Sequence, residues 1–236
     1  MCGRYTLAVT FDELKEFFQL EDDYPLLEAR YNIAPTQPVL AVREETGAGS
    51  GGPVTKRQIA HFSWGLVPSW SKDPRQGAKL INARAETLAE KPSFRHAFRR
   101  RRCLIPADGF YEWQGKGRNK QTFHVRLRNQ KLFAFAGLYE EWHGPNGETM
   151  ESCAIVTTQA NELMRPLHER MPVILKPQDY DAWLSSKNED LEVLSKLLVA
   201  YPADEMLAAP VGEFVNAVNN EGGKCLEPAQ PELTLF

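Results

Sequence analysis

The stretch from Cys103 to Thr158 sets the strongest limit on what this chain can become. It breaks into short runs of β-favouring residues, each closed by a turn signal. Cys103-Leu104-Ile105-Pro106 and Gly109-Phe110-Tyr111-Glu112-Trp113 come first. Thr122-Phe123-His124-Val125-Arg126-Leu127 then alternates with the period of two that a half-buried strand requires. Leu132 to Ala136 follows an Asn-Gln turn, and Gly144-Pro145-Asn146-Gly147 marks a hairpin before Ser152 to Thr158. Strands this close together pair with one another. Upstream, Pro38 to Arg43 and Gln58 to Phe62 read as a further pair, joined by a flexible glycine-rich tip from Gly47 to Pro53.

Helices are left to the periphery. Thr10-Phe11-Asp12-Glu13 has the form of a capping box that opens a helix through Phe18. Helical patterns recur at Ala83 to Leu88, Asn161 to Leu167, Pro177 to Leu184 and Leu191 to Ala200, with Pro177 suited to a first turn. The expected fold is of the mixed α/β class, α+β in type. A curved, mostly antiparallel sheet or barrel-like core carries peripheral helices in one domain over residues 1–218, followed by a flexible tail over 219–236. A chain of 236 residues, 42% of them hydrophobic, can bury one core of that size.

Several function classes are excluded. No apolar run approaches the ~18 residues that span a bilayer, and the first residues carry no apolar signal region, so a soluble cytoplasmic protein is expected. Cys2, Cys103, Cys153 and Cys225 are scattered, with no C-x-x-C pair and no histidine at ligand spacing. That argues against a zinc site or a disulfide framework and for a reducing compartment. No cofactor or metal is expected. The net charge of −3 conceals an uneven distribution: between Lys56 and Lys131, eighteen Lys and Arg face five Asp and Glu. A basic centre in an acidic chain points to a local polyanion-binding face, with Arg99 to Arg102 as an approach surface.

Cys2 is the position richest in chemistry. A small residue after Met1 permits removal of that methionine, which turns Cys2 into a 1,2-aminothiol. Its α-amine, with a pKa of roughly 7.7–8.0, attacks an aldehyde as a neutral nucleophile, and its thiol then closes a five-membered thiazolidine ring. Lysine lacks the second nucleophile. Taken singly, the other polar candidates have plainer readings. Glu112 suits an outward strand carboxylate, His168 a helix-end histidine and Asn82 a helix cap.

Their company changes that reading. Met1-Cys2-Gly3-Arg4-Tyr5, Tyr31-Asn32-Ile33-Ala34-Pro35-Thr36, Trp64-Gly65-Leu66-Val67-Pro68-Ser69-Trp70, Asn82-Ala83-Arg84-Ala85-Glu86-Thr87, Arg102-Cys103-Leu104-Ile105-Pro106-Ala107-Asp108-Gly109-Phe110-Tyr111-Glu112-Trp113 and His168-Glu169-Arg170-Met171-Pro172-Val173-Ile174-Leu175 occur in this order. Together they resemble the SRAP family, named as SOS-response-associated peptidases. The resemblance implies a barrel-like α/β fold and covalent capture of abasic sites in single-stranded DNA by a monomeric, nucleoid-associated protein of the damage response. It makes Cys2 the nucleophile and has Asn82 position the terminal residue or the opened sugar. Glu112 becomes the general acid/base for ring opening and Schiff-base formation, and His168 the group that exchanges a proton with the sugar hydroxyl. It implies Arg4, Arg84 and Arg170 as phosphate ligands and Trp70 and Trp113 as stacking platforms for bases. Removal of Met1 and abasic-site lyase activity through the Schiff base are implied as side activities.

Two other readings compete. Cys2, His168 and Glu112 could form the thiol, imidazole and carboxylate of a cysteine peptidase, or the basic and aromatic surface could bind single-stranded DNA without chemistry. The end of the chain, Gln230-Pro231-Glu232-Leu233-Thr234-Leu235-Phe236, resembles peptides that dock replication proteins on a sliding clamp. It departs from the bacterial pattern at Glu232, where Gln is usual.

Overall fold

The structure, a computed structural model, describes residues 2–21, 27–49, 52–115, 117 and 120–229, with the backbone alone for 46–49 and 52–54. In chain order the strands are β1 (Tyr5–Leu7), β2 (Arg30–Ile33), β3 (Pro38–Gly49), β4 (Gly52–Trp64), β5 (Asn82–Arg84), β6 (Arg102–Ala107), β7 (Gly109–Gln114), β8 (Gln121–Leu127), β9 (Phe133–His143), β10 (Thr149–Gln159), β11 (Arg170–Pro172), β12 (Ile174–Leu175) and β13 (Met206–Val211). The helices are short: α1 (Phe11–Phe18), α2 (Arg95–Arg100), α3 (Tyr180–Leu184) and α4 (Leu191–Lys196).

Five strands close on themselves. β10 runs parallel to β4, β4 pairs with β3, β3 with β6, β6 with β9, and β9 returns to β10. Closure leaves those strands without a free edge, the device by which β-rich domains avoid edge-to-edge association. A second sheet, in the order β13-β8-β7-β1-β2 and antiparallel throughout, lies against this barrel. The seam is aromatic. Tyr5 of β1 meets Trp64 and Phe135 of the barrel edge-on at centroid distances of 5.4 and 5.8 Å, and Phe110 of β7 meets Phe135 at 6.0 Å. All four rings are buried. The expected barrel-like core with peripheral helices is what the chain forms.

Local details differ from the sequence expectation for identifiable reasons. The capping box is present, with Thr10 Oγ1 accepting from Glu13 N at 3.2 Å and Thr10 N donating to Glu13 Oε2 at 2.8 Å. The glycine-rich tip from Gly47 to Pro53 continues the hairpin ladder as far as Gly49 opposite Gly52. Residues 82–88 open as strand because Asn82, Ala83 and Arg84 take parallel register with Ile155, Val156 and Thr157, and only Ala85–Thr87 coils into a 3-10 turn. Residues 162–167 form turns in place of the expected helix. Pro166 has no N–H to continue one.

The arginine run divides: Arg99 and Arg100 are exposed, Arg101 is half-buried and Arg102 is absorbed by the fold. Arg102 is 2% exposed and donates to the carbonyls of Trp183, Phe98, Arg99, Ser185 and Asn188, closing the C-terminal ends of α2 and α3. Arg101 pairs with Glu140 and Arg100 with Glu189, both at 2.9 Å. Part of the expected tail over 219–236 lies among the described residues. Residues 219–229 are packed on the body: Cys225 is buried, Pro228 bridges Val211, and Gly212 N donates to Glu227 O at 2.9 Å. Met1 and the Leu233–Phe236 peptide lie outside the described residues.

Candidate active site

Two sheet registers bring the site together. β1 runs antiparallel to β7 with Tyr5 opposite Phe110, and Tyr111 N donates to Arg4 O at 2.9 Å. Followed toward the terminus, this pairing lays Cys2 and Gly3 beside Glu112 and Trp113. On the barrel side, β10 is flanked by β5 and β11, with Arg84 beside Thr157 and Arg170 opposite Gln159. Asn82 starts β5, and His168 stands two residues before β11.

Asn82 connects the halves. Its Nδ2 donates to Cys2 O at 2.9 Å, while its Oδ1 is buried without a partner among the described residues. The Cys2 side chain is fully buried, with Sγ 4.0 Å from Arg4 O. Burial pushes its thiol pKa far up, and the negative charge of Glu112 adds to that. Glu112 is 3% exposed, and burial raises its pKa against the opposing pull of His168. His168 is half-buried, and its Nδ1 accepts from Arg170 N at 2.9 Å. A neutral ring therefore carries its proton on Nε2, free to donate away from the backbone. The four expected catalytic residues thus meet in one place: a hydrogen bond joins Asn82 to Cys2, and charge couples Cys2 to Glu112 and Glu112 to His168.

The five residues expected to hold DNA divide. Trp70 is 60% exposed, so its indole face is open, and Arg84 is exposed as well. Trp113 is half-buried and anchored, its Nε1 donating to Asn216 Oδ1 at 2.8 Å. Arg4 and Arg170 are committed inside the protein. Arg4 donates to Asn32 Oδ1 at 2.7 Å and Val215 O at 2.9 Å, with its guanidinium 5.8 Å above the Trp113 ring. Arg170 holds Glu86 through two bonds of 3.0 and 2.9 Å and donates to Thr157 O at 2.6 Å. Both guanidinium groups thus brace the protein internally, Arg4 while half-buried and Arg170 while buried.

This arrangement has the parts for carbonyl condensation, and the comparisons bear on whose it is. The family model described as SOS response associated peptidase (SRAP) matches residues 1–218. The chain belongs to this family. It is 44% identical over 230 residues to the abasic site processing protein YoqW of Bacillus subtilis, covering 96% of this chain and 99% of the relative. It is 31% identical over 267 residues to the abasic site processing protein HMCES of Gallus gallus, covering 98% of this chain and 78% of the relative. A crystal structure of a protein from Bacteroides thetaiotaomicron shares the fold with a TM-score of 0.82 at 24% identity, covering 97% of this chain and all of that one.

Within the SRAP frame, the residues that sequence reasoning missed are partners lying inside or beyond the matched blocks. Asn32 is buried. Its Nδ2 donates to Val215 O, Ala217 O and Asn220 O at 3.2, 3.0 and 2.8 Å, which ties the 215–220 arch to β2. Asn216 in that arch fixes Trp113 and also accepts from Thr122 Oγ1 at 2.9 Å. Glu86, which neutralises Arg170, sits in the same block as Asn82 and was the one signal available for that pair. Among the described residues no group of three His, Cys, Asp or Glu could hold a metal ion, and no helix is long and apolar enough to cross a membrane.

Proposed function

We propose that this SRAP protein processes abasic sites, the role its relatives' names state for them, by capturing the opened sugar of a single-stranded lesion on Cys2 once Met1 is removed. The observation that carries the reading is the meeting of buried Cys2 and Glu112 with half-buried Asn82 and His168. Removal of Met1 would turn the Cys2 nitrogen there into a free amine.

The residues suit successive steps. The abasic sugar is a hemiacetal; in this reading Glu112 assists its opening to the aldehyde, and His168 Nε2 exchanges a proton with the sugar hydroxyl. The neutral Cys2 amine attacks C1′ and forms a carbinolamine. Glu112, whose affinity for a proton burial raises, gives a proton to the departing hydroxyl, which leaves as water. The resulting iminium carbon accepts the Cys2 sulfur while the thiol proton passes to the Glu112 carboxylate. One C–N bond and one C–S bond form, one water is released, and no oxidant is needed. Ring closure removes the imine through which β-elimination (lyase chemistry) would proceed. Asn82 Nδ2 holds the Cys2 carbonyl, and its Oδ1 accepts from a sugar hydroxyl. Trp70 and Arg84 receive the neighbouring nucleotides.

The cysteine-peptidase reading fits less well. Such an enzyme works through a thiolate, and both burial and the charge of Glu112 oppose ionisation of Cys2. A purely non-covalent DNA module leaves the buried Glu112 without a task. Docking on a sliding clamp through Leu233–Phe236 is a separate part of the proposal, resting on that peptide's sequence alone. A peptide of these residues that fails to bind the clamp removes it.

The test is to mix the mature protein with abasic and intact single-stranded oligonucleotides and resolve the products under denaturing conditions. A stable adduct is expected only with the abasic strand. Cys2→Ala should form none, and Cys2→Ser only a transient adduct that borohydride traps. A stable, borohydride-independent adduct from Cys2→Ser would overturn the role given to sulfur.

A further inference from the structure

A second feature opens beside the site, at the C-terminal end of β10. Arg84 ends β5, Gln159 ends β10 and Arg170 begins β11, and the 161–168 turn rises next to them. Between these elements lies a cleft of about 400 Å³ lined by Arg84, Gln159, Ala160, Arg165, Glu169 and Arg170. Its charges are unequally committed. Arg170 is neutralised by Glu86 at 2.9 Å, whereas Arg84 and Arg165 are exposed, and neither is in an ion pair among the described residues. Glu169, also exposed, opposes them. The cleft therefore keeps a surplus of one positive charge, matched to one phosphodiester.

Its position ties it to the chemistry. Asn82 and Arg84 are two residues apart on one strand, on the face opposite buried Ala83, so their Cα atoms lie ~6.6 Å apart. Arg165 precedes His168 by three residues in a turn fixed by Arg165 N to Asn161 O and His168 N to Met164 O, both 2.9 Å. A strand leaving the site past Asn82 and His168 meets these two guanidinium groups next.

We propose that Arg165 acts with Arg84 as a phosphate subsite for a nucleotide flanking the lesion. Arg165 lies outside every motif block that carries the family resemblance. The inference rests on the reading of the substrate as single-stranded DNA. Both side chains contact backbone phosphate and no base edge, so the subsite sets affinity and the path of the strand without reading sequence.

The test uses the full chain and a single-stranded oligonucleotide carrying a tetrahydrofuran abasic analogue, which binds without condensing. Arg165→Ala should weaken binding roughly two- to fivefold at low salt. It should also flatten the dependence of log K on log salt by ~0.7, the share of one phosphate on a single strand. A methylphosphonate walked along the flanking positions should reproduce that loss in the unaltered protein at one position. At that position it should add nothing to Arg165→Ala. Equal affinity and salt slope, or methylphosphonate penalties that simply add to the variant's at every position, would overturn the subsite. Cross-linking of a true abasic oligonucleotide by the unaltered protein is run alongside. If it succeeds while Arg165→Ala behaves as the unaltered protein, only the subsite falls. If it fails, the DNA reading falls and the subsite with it.

Discussion

Replacing Asn82 by Ala isolates the link between the two halves of the site. The bond lost, Nδ2 to Cys2 O at 2.9 Å, has near-ideal length and joins neutral groups. Such a bond contributes about 1 kcal/mol net. If Asn82 only positions Cys2, capture should slow by roughly fivefold. The buried Oδ1 adds a second contribution. An acceptor left without a partner in the folded protein costs ~1–3 kcal/mol, and a sugar hydroxyl that donates to it in the transition state recovers that amount. The full loss should then reach about 3 kcal/mol, or roughly 150-fold. Stability should change little, because the substitution removes an unsatisfied group along with a satisfied one. The assay is the single-turnover rate of adduct formation at saturating abasic oligonucleotide, with thermal unfolding of the same preparations. Asn82→Asp, which keeps the acceptor and loses the donor, should fall between the two. An Asn82→Ala rate equal to that of the unaltered protein would refute the reasoning, as would a rate loss explained by unfolding.

Four further outcomes are expected. Burial raises the Glu112 pKa, so the folded protein takes that proton more readily than the unfolded chain. The carboxylate then costs stability increasingly as pH rises above the unfolded value of about 4.3. Glu112→Gln should raise the melting temperature at pH 7.5, lose that advantage near pH 4 and slow imine formation; unchanged melting at pH 7.5 would contradict the desolvation argument. His124 is lowered by burial to about 4 from 6.5, so its contribution is complete above pH 6.5 and lost as pH falls to 4, by ~3 kcal/mol. The stability of the unaltered protein relative to His124→Gln should decline across that window and nowhere else. Arg102→Met strands five carbonyls and should destabilise by at least ~3 kcal/mol in urea unfolding; less than ~1 kcal/mol would show that they find other donors. Trp70→Ala should leave melting unchanged and weaken single-strand binding by ~1–3 kcal/mol, and unaltered binding would remove its stacking role.

What could be read from the sequence was whatever depends on neighbours along the chain. The alternation in Thr122 to Leu127 and the Thr10–Glu13 box each encode their structure within a few residues, and both appear as expected. Cys2, Asn82, Glu112 and His168 were accessible because motif blocks kept their order, although nothing local shows that β1–β7 and β5–β10 pairing gathers them. The internal partners of the arginines were not legible. Arg4 donates to Val215 O, 211 residues away, and Arg170 pairs with Glu86, 84 residues away, contacts that no neighbour along the chain announces. For the same reason Ala83 and Arg84 looked helical, with Asn82 as a cap: β10, whose register makes the segment a strand, lies more than sixty residues further on.

The mass and attachment site of the adduct test the central claim most directly. After nuclease digestion, the cross-linked protein should carry the sugar remnant less one water on a chain that begins at Cys2. Neither the amine nor the thiol of that residue should then react with amine- or thiol-directed reagents. A remnant attached to a lysine, or borne by a chain that still begins with methionine, would show that the aminothiol is not the trap.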